Sequence, residues 1–170
     1  SSDPGTAVRV AFDNSYAAGV LHISSAGNEG NPAGKGDTVG YPGNYSSVMA
    51  VAATDSSDLR AKFSSTGPGV EISAPGVGIV STYPGGLYAT ASGTSMASPH
   101  VAGVAALVMA SGTTDPASVR SILKNTAEDL GVVGFDEKYG FGLVDAPAAV
   151  GTPPVHVNEA PVVRIASPAD

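Results

Sequence analysis

The chain has 170 residues, enough for one domain with its own core. Apolar residues make up 42% and charged residues only 14%, which suits a buried core and not a disordered tail. The net charge of −7 argues against nucleic acid as a partner, since no basic stripe is available to neutralise phosphates, and the lack of cysteine removes disulfides, thiolate metal sites and cysteine nucleophiles.

Asp3-Pro4 reads as a helix cap followed by proline at the first helical position. Apolar residues then recur at Val8, Ala11, Phe12 and Tyr16, a helical spacing, and Gly19 closes the helix. Residues 20–26 predict a short strand buried on both faces. Residues 31–38 are polar and glycine-rich, a surface loop. Residues 48–53 predict a second buried strand, and residues 55–60 a polar turn. Shorter strands follow at 70–74, 79–82 and 87–91, with a turn at Tyr83-Pro84-Gly85-Gly86. A long helix then runs to about Ala110. Asp115-Pro116 repeats the cap-and-proline signature ahead of an apolar stripe at Val119, Ile122, Leu123 and Ala127. Residues 140–143 predict a last strand and residues 145–150 a last helical turn.

Strands alternating with helices predict an α/β fold with a mostly parallel sheet, whose sites lie at the carboxyl ends of strands. No apolar run is long enough to span a membrane. The composition changes at Gly151. Residues 1–151 read as one domain, and residues 152–170 as a proline-rich linker that leads either into a further β-rich domain or into a plain tail.

The long helix opens on Ser95, with small residues in its first turns. There the serine sits at the positive end of the helix, beside backbone N–H groups that lack helical acceptors. That position favours developing negative charge, as acyl transfer requires. By itself the pattern reads equally as a serine N-cap. A hydroxyl needs a base. His100 lies five residues on, about 140° around the helix axis, and cannot turn back to Ser95. His22 lies mid-strand and His156 in the linker, so the base comes from elsewhere. Pro99 removes one helical N–H and presses on the Ser95 carbonyl, predicting a distorted first turn. Ala102, Gly103, Ala105 and Ala106 read as a small-residue face that lets the helix pack closely under the sheet.

Gly93-Thr94-Ser95-Met96-Ala97-Ser98-Pro99-His100-Val101-Ala102-Gly103 resembles the nucleophile segment of the subtilisin-like serine proteases. Ser25-Ala26-Gly27-Asn28-Glu29-Gly30 resembles the family's oxyanion-asparagine segment. Val39-Gly40-Tyr41-Pro42-Gly43 and Phe63-Ser64-Ser65-Thr66-Gly67-Pro68 resemble its pocket and surface-loop segments, and Ala74-Pro75-Gly76-Val77 the strand-turn that follows. The resemblance runs from about Pro4 to Val150 and implies a three-layer α/β sandwich, incomplete in this chain.

It also implies a secreted endopeptidase acting on proteins or peptides through an acyl-enzyme, with no catalytic cofactor. Ser95 would be the nucleophile, and the Asn28 amide and Ser95 N–H the oxyanion donors. Ser25, Ala26 and Gly27 would line one side of the substrate pocket and Gly40 the other, with Met96 in the cleft. Glu29 reads either as a rim charge that favours basic side chains or as a solvated loop charge. Gly43, Tyr45, Val48 and Glu71 match a family site for structural calcium or sodium. The family's Asp-Thr-Gly and His-Gly-Thr-His patterns are missing, so the resemblance is to the C-terminal part of the catalytic domain. The triad aspartate and histidine are expected in an upstream part, and the lone chain is expected to be inactive. Two other readings stand beside this one. Gly93-Thr94-Ser95-Met96-Ala97 nearly matches an esterase elbow, with Asp145 and His156 following in order. The chain also reads as a non-catalytic half that pairs with another.

Overall fold

A computed structural model describes residues 2–151. The expected linker at 152–170, with His156, lies outside the described residues. The elements run α1 (Thr6–Ala17), β1 (His22–Ser25), β2 (Val48–Thr54), β3 (Val70–Pro75), β4 (Ile79–Tyr83), β5 (Leu87–Ala91), α2 (Thr94–Ala110), α3 (Pro116–Asn125) and α4 (Ala146–Ala149).

Three strands form a parallel sheet in the order β1-β2-β3, and β4 and β5 pair as an antiparallel hairpin beside it. All seven residues of β2 are buried. Successive side chains of a strand point to opposite faces. Met49, Val51 and Ala53 accordingly enter the main core with Val101, Val104 and Val108 of α2 and Leu123 of α3. Ala50 and Ala52 join a smaller core with Ala26, Val39 and Val70 on the other side. The architecture is the incomplete α/β sandwich expected, with α2 and α3 packed on the parallel sheet.

Several local expectations meet different outcomes. Asp115 caps α3 by accepting from the Ser118 N–H at 2.8 Å, and Asp145 caps α4 by accepting from Ala148 at 2.8 Å. Asp3 does not cap α1. Its carboxylate accepts from the Gly5 N–H at 2.9 Å and from the Tyr45 hydroxyl at 2.8 Å, and the helix starts at Thr6. β1 is only half-buried rather than buried on both faces, because β2 alone pairs with it among the described residues. The predicted strand at 140–143 contributes single bridges, Leu143 to Ser73 and to Glu128 and Gly140 to Asp136. Ser64, Ser65 and Thr66 are fully buried, not a surface loop. Two of the hydroxyls are absorbed by backbone: Ser64 Oγ accepts from the Ala53 N–H at 2.9 Å, and Thr66 Oγ1 donates to the Gly36 carbonyl at 2.8 Å.

The small-residue face of α2 also differs. Only Ala105 is buried, while Ala102, Gly103 and Ala106 face outward and a Cβ on Gly103 would touch nothing. Val101, Val104 and Val108 take the sheet side instead. Pro99 leaves α2 continuous through Ala110. No helix among the described residues is long and apolar enough to cross a membrane.

Two outcomes test this packing. Leu123 is fully buried where α3 meets the main core, so Leu123→Ala lowers unfolding stability by about 2–5 kcal/mol in urea titration. Burial and then the Asp3 bond push the Tyr45 hydroxyl from 10.0 up to about 12, while the Gly5 and Tyr45 bonds hold Asp3 below 3.8. Tyr45 is raised on folding, so its contribution is complete below pH 10.0 and lost as pH climbs through about 12. Asp3 is lowered, so its contribution is lost as pH falls below 3.8. Tyr45→Phe flattens the alkaline arm of a stability–pH curve relative to the unsubstituted protein.

Candidate active site

The site lies where the segment after β1 meets the start of α2. Ser95 occupies the second helical position and is exposed, between buried Thr94 and half-buried Met96. Its N–H is one of the first four in the helix, which have no intrahelical acceptor. The N-cap residue is Gly93, so Ser95 is not the cap.

Asn28 stands across from it and is held by Thr94. The Asn28 Oδ1 accepts from both the Thr94 N–H and the Thr94 hydroxyl, each at 3.0 Å. Thr94 Oγ1 in turn accepts from the Gly27 N–H at 3.2 Å. With its oxygen tied to Thr94, the carboxamide turns its NH₂ the other way. Asn28 Nδ2 lies 3.5 Å, and the Ser95 amide nitrogen 3.7 Å, from the point a β-carbon would occupy on Gly93. Two donors therefore border one small space that the missing side chain of Gly93 leaves open. Thr94 escaped the sequence reading because its partner is 66 residues away. Its only signal is a hydroxyl residue directly before the serine.

The remaining expected pocket residues fall near this point. Ser25 ends β1, and the Gly40 N–H donates to the Ala26 carbonyl at 2.8 Å, bringing the two predicted walls together. The methyl of Ala26 packs into the smaller core, so only its backbone faces this point. Gly27 has φ +115°, and a β-carbon there would lie 2.5 Å from a carboxylate oxygen of Glu29. Glu29 is exposed, with Ser65 Oγ 3.4 Å from its carboxylate. Beside Ser95 opens a groove of about 310 Å³, lined by Ile79, Val80, Ser81, Met96, Pro99 and His100. His100 Nδ1 is hydrogen-bonded to the Met96 carbonyl at 2.8 Å, a local helix contact.

The expected cation site does not fit a metal. The Glu71 carboxylate is gripped from both sides by Arg120, through Nε at 2.8 Å and through Nη2. Arg120 Nη1 donates to the Ser46 carbonyl at 2.8 Å, and Nη2 reaches the Val48 carbonyl at 3.4 Å. The Tyr45 carbonyl accepts from the Val48 N–H, and a β-carbon on Gly43 would lie 3.0 Å from the Ser25 carbonyl. Burial opposes the charge of Arg120, yet its bonds to Glu71 and Tyr16 raise its pKa above the ordinary value. No three acidic, histidine or cysteine side chains among the described residues converge on a metal position.

Fold and site together define an α/β chain that presents a helix-borne serine next to a fixed asparagine amide. A family model described as the subtilase family, Peptidase_S8, matches residues 1–142, and the chain belongs to that family. It is 48% identical over 145 residues to Subtilisin DY of Bacillus licheniformis, covering 85% of this chain and 52% of that protein. It is 46% identical over 150 residues to the M-protease of Shouchella clausii, covering 88% of this chain and 37% of that protein. Subtilisin Savinase of Lederbergia lenta is 45% identical over 150 residues, 88% of this chain and 53% of that protein. The chain thus spans about half the length, or less, of these relatives.

The Thr94 clamp gives a direct test. Thr94→Val strands the Gly27 N–H and removes one of two bonds to Asn28, and is expected to lower stability by about 1–3 kcal/mol in denaturant titration. Thr94→Ser keeps the hydroxyl and recovers most of that loss.

Proposed function

We propose that this chain is the nucleophile-bearing C-terminal part of a serine endopeptidase that cleaves peptide bonds through an acyl-enzyme on Ser95. The observation that carries the reading is the convergence of the Asn28 amide and the Ser95 N–H beside Gly93. In the proposed reaction Ser95 Oγ attacks the scissile carbonyl carbon while a base takes its proton. The carbonyl electron pair moves onto oxygen, where the two donors hold it. Collapse breaks the C–N bond, and the amine leaves with the proton handed back by the base. Water then repeats the sequence on the ester and frees Ser95. This chemistry draws on no cofactor.

The base is a histidine oriented by an aspartate, both from an upstream part of the same protease. His100 is committed to the Met96 carbonyl, and His22 sits on β1 edge-on to Phe12 with ring centroids 4.9 Å apart. An upstream part also answers the exposed faces. Ala102, Gly103, Ala106 and Leu107 of α2 are open, and β1 has a free edge among the described residues. An apolar face beside an unpaired strand edge is stable only when covered. The substrates are proteins or peptides met outside the cell. Their side chains would enter between residues 25–27 and Gly40, with the exposed Glu29 carboxylate favouring a basic residue.

In the protein as it is made, a fluorophosphonate is expected to label Ser95, and Ser95→Ala to abolish labelling. The lone chain, without the upstream groups, is expected to be slower by several orders of magnitude. Asn28→Ala should lower kcat about 10²–10³-fold with KM little changed, the loss known for removing an oxyanion asparagine from a subtilisin. An unchanged kcat would sink this reading.

A further inference from the structure

The carbonyls of residues 46 and 48 and the carboxylate of Glu71 converge on one position, the kind of oxygen cluster that holds a hard cation. In this structure a side chain fills it. Arg120 reaches across from α3, and both its side chain and that of Glu71 are only 15% exposed. Its planar fork meets the carboxylate through two nitrogens and spends a further donor on Ser46. The ring of Tyr16 lies 5.8 Å from the guanidinium carbon and closes another side. Lys124 stands 4.0 Å from the same carboxylate. Two positive groups therefore face a single negative one.

We propose that the guanidinium of Arg120 is the resident cation of this site, and that it excludes calcium and sodium from Gly43, Tyr45, Val48 and Glu71. A metal ion arriving there meets oxygens already engaged and a local charge already positive. To bind, it must displace a buried ion pair. The exchange releases Arg120 into the apolar surroundings of Phe135 and Phe141, which line the same cavity. The site is thus a covalently tethered version of a cation site, insensitive to the metal content of the medium.

The test is calcium titration by calorimetry on the protein as it is made, comparing the unsubstituted form with Arg120→Ala. Removing the guanidinium leaves Glu71 and the carbonyls open, so Arg120→Ala is expected to bind one more equivalent of calcium. Equal stoichiometry in the two overturns the proposal, whether both bind at these oxygens or neither does. Should Arg120→Ala fail to fold, Glu71→Gln decides the matter with Arg120 in place. The proposal expects the calcium stoichiometry of Glu71→Gln to match that of the unsubstituted protein. A lost equivalent would show a metal already bound beside Arg120 and overturn it.

Discussion

The burial of β2 on both faces is the constraint from which the site follows. Five of its seven residues divide between two cores, so slipping the strand by one residue would exchange their side chains between them. That fixed register is passed on through backbone bonds. The Thr54 carbonyl at the end of β2 accepts from the Gly76 N–H at 2.9 Å, and the Gly76 carbonyl accepts from the Gly93 N–H at 2.8 Å. Gly93 directly precedes the Thr94–Ser95 pair. A β-carbon on Gly76 would lie 2.6 Å from the Ala53 β-carbon and 2.9 Å from the Gly93 carbonyl. The chain can make this relay only because residue 76 has no side chain. On the other flank, the Ala26 N–H donates to the Val51 carbonyl at 2.9 Å and sets Asn28 two residues later. Both halves of the candidate site therefore hang from one buried strand.

What was legible in the sequence was whatever lies along the chain. The helical spacing of α1 and α3 and the Asp-Pro cap at residue 115 depend on neighbours a few residues away. What was illegible depends on partners far off. Asp3 looks like a cap, but Tyr45, 42 residues on, competes for its carboxylate. Thr94 looks like filler in a motif, yet it fixes the orientation of Asn28. The small residues of α2 promise close packing without saying on which side. The branched side chains at 101, 104 and 108 decide that, because they bury more apolar area than alanines do.

The Glu71 position shows the same limit in electrostatic form. Backbone carbonyls carry no sequence signature, so a set of oxygens suggests a cation without naming it. The counter-charge comes from a helix 49 residues later. A buried carboxylate without a partner is costly, and an arginine satisfies it with two directed bonds while keeping its own hydrogens occupied by carbonyls. Deleting either member would leave the other charged and buried. That asymmetry is what holds the pair, α3 and the segment at 45–48 together.

The direction of the serine has a similar, non-local cause. No hydrogen bond to the Ser95 hydroxyl is required to aim it. Val101 lies six residues further on, about 120° around the helix axis, and is fully buried against the sheet. Turning α2 far enough to hide Ser95 would expose Val101 and its companions, at about 1.5–3 kcal/mol for each large apolar side chain brought into water. Thr94 and Ala97, on the inward side of the first turn, resist the same rotation. The hydroxyl thus faces the groove because the valines behind it face the core, and packing energy sets its direction.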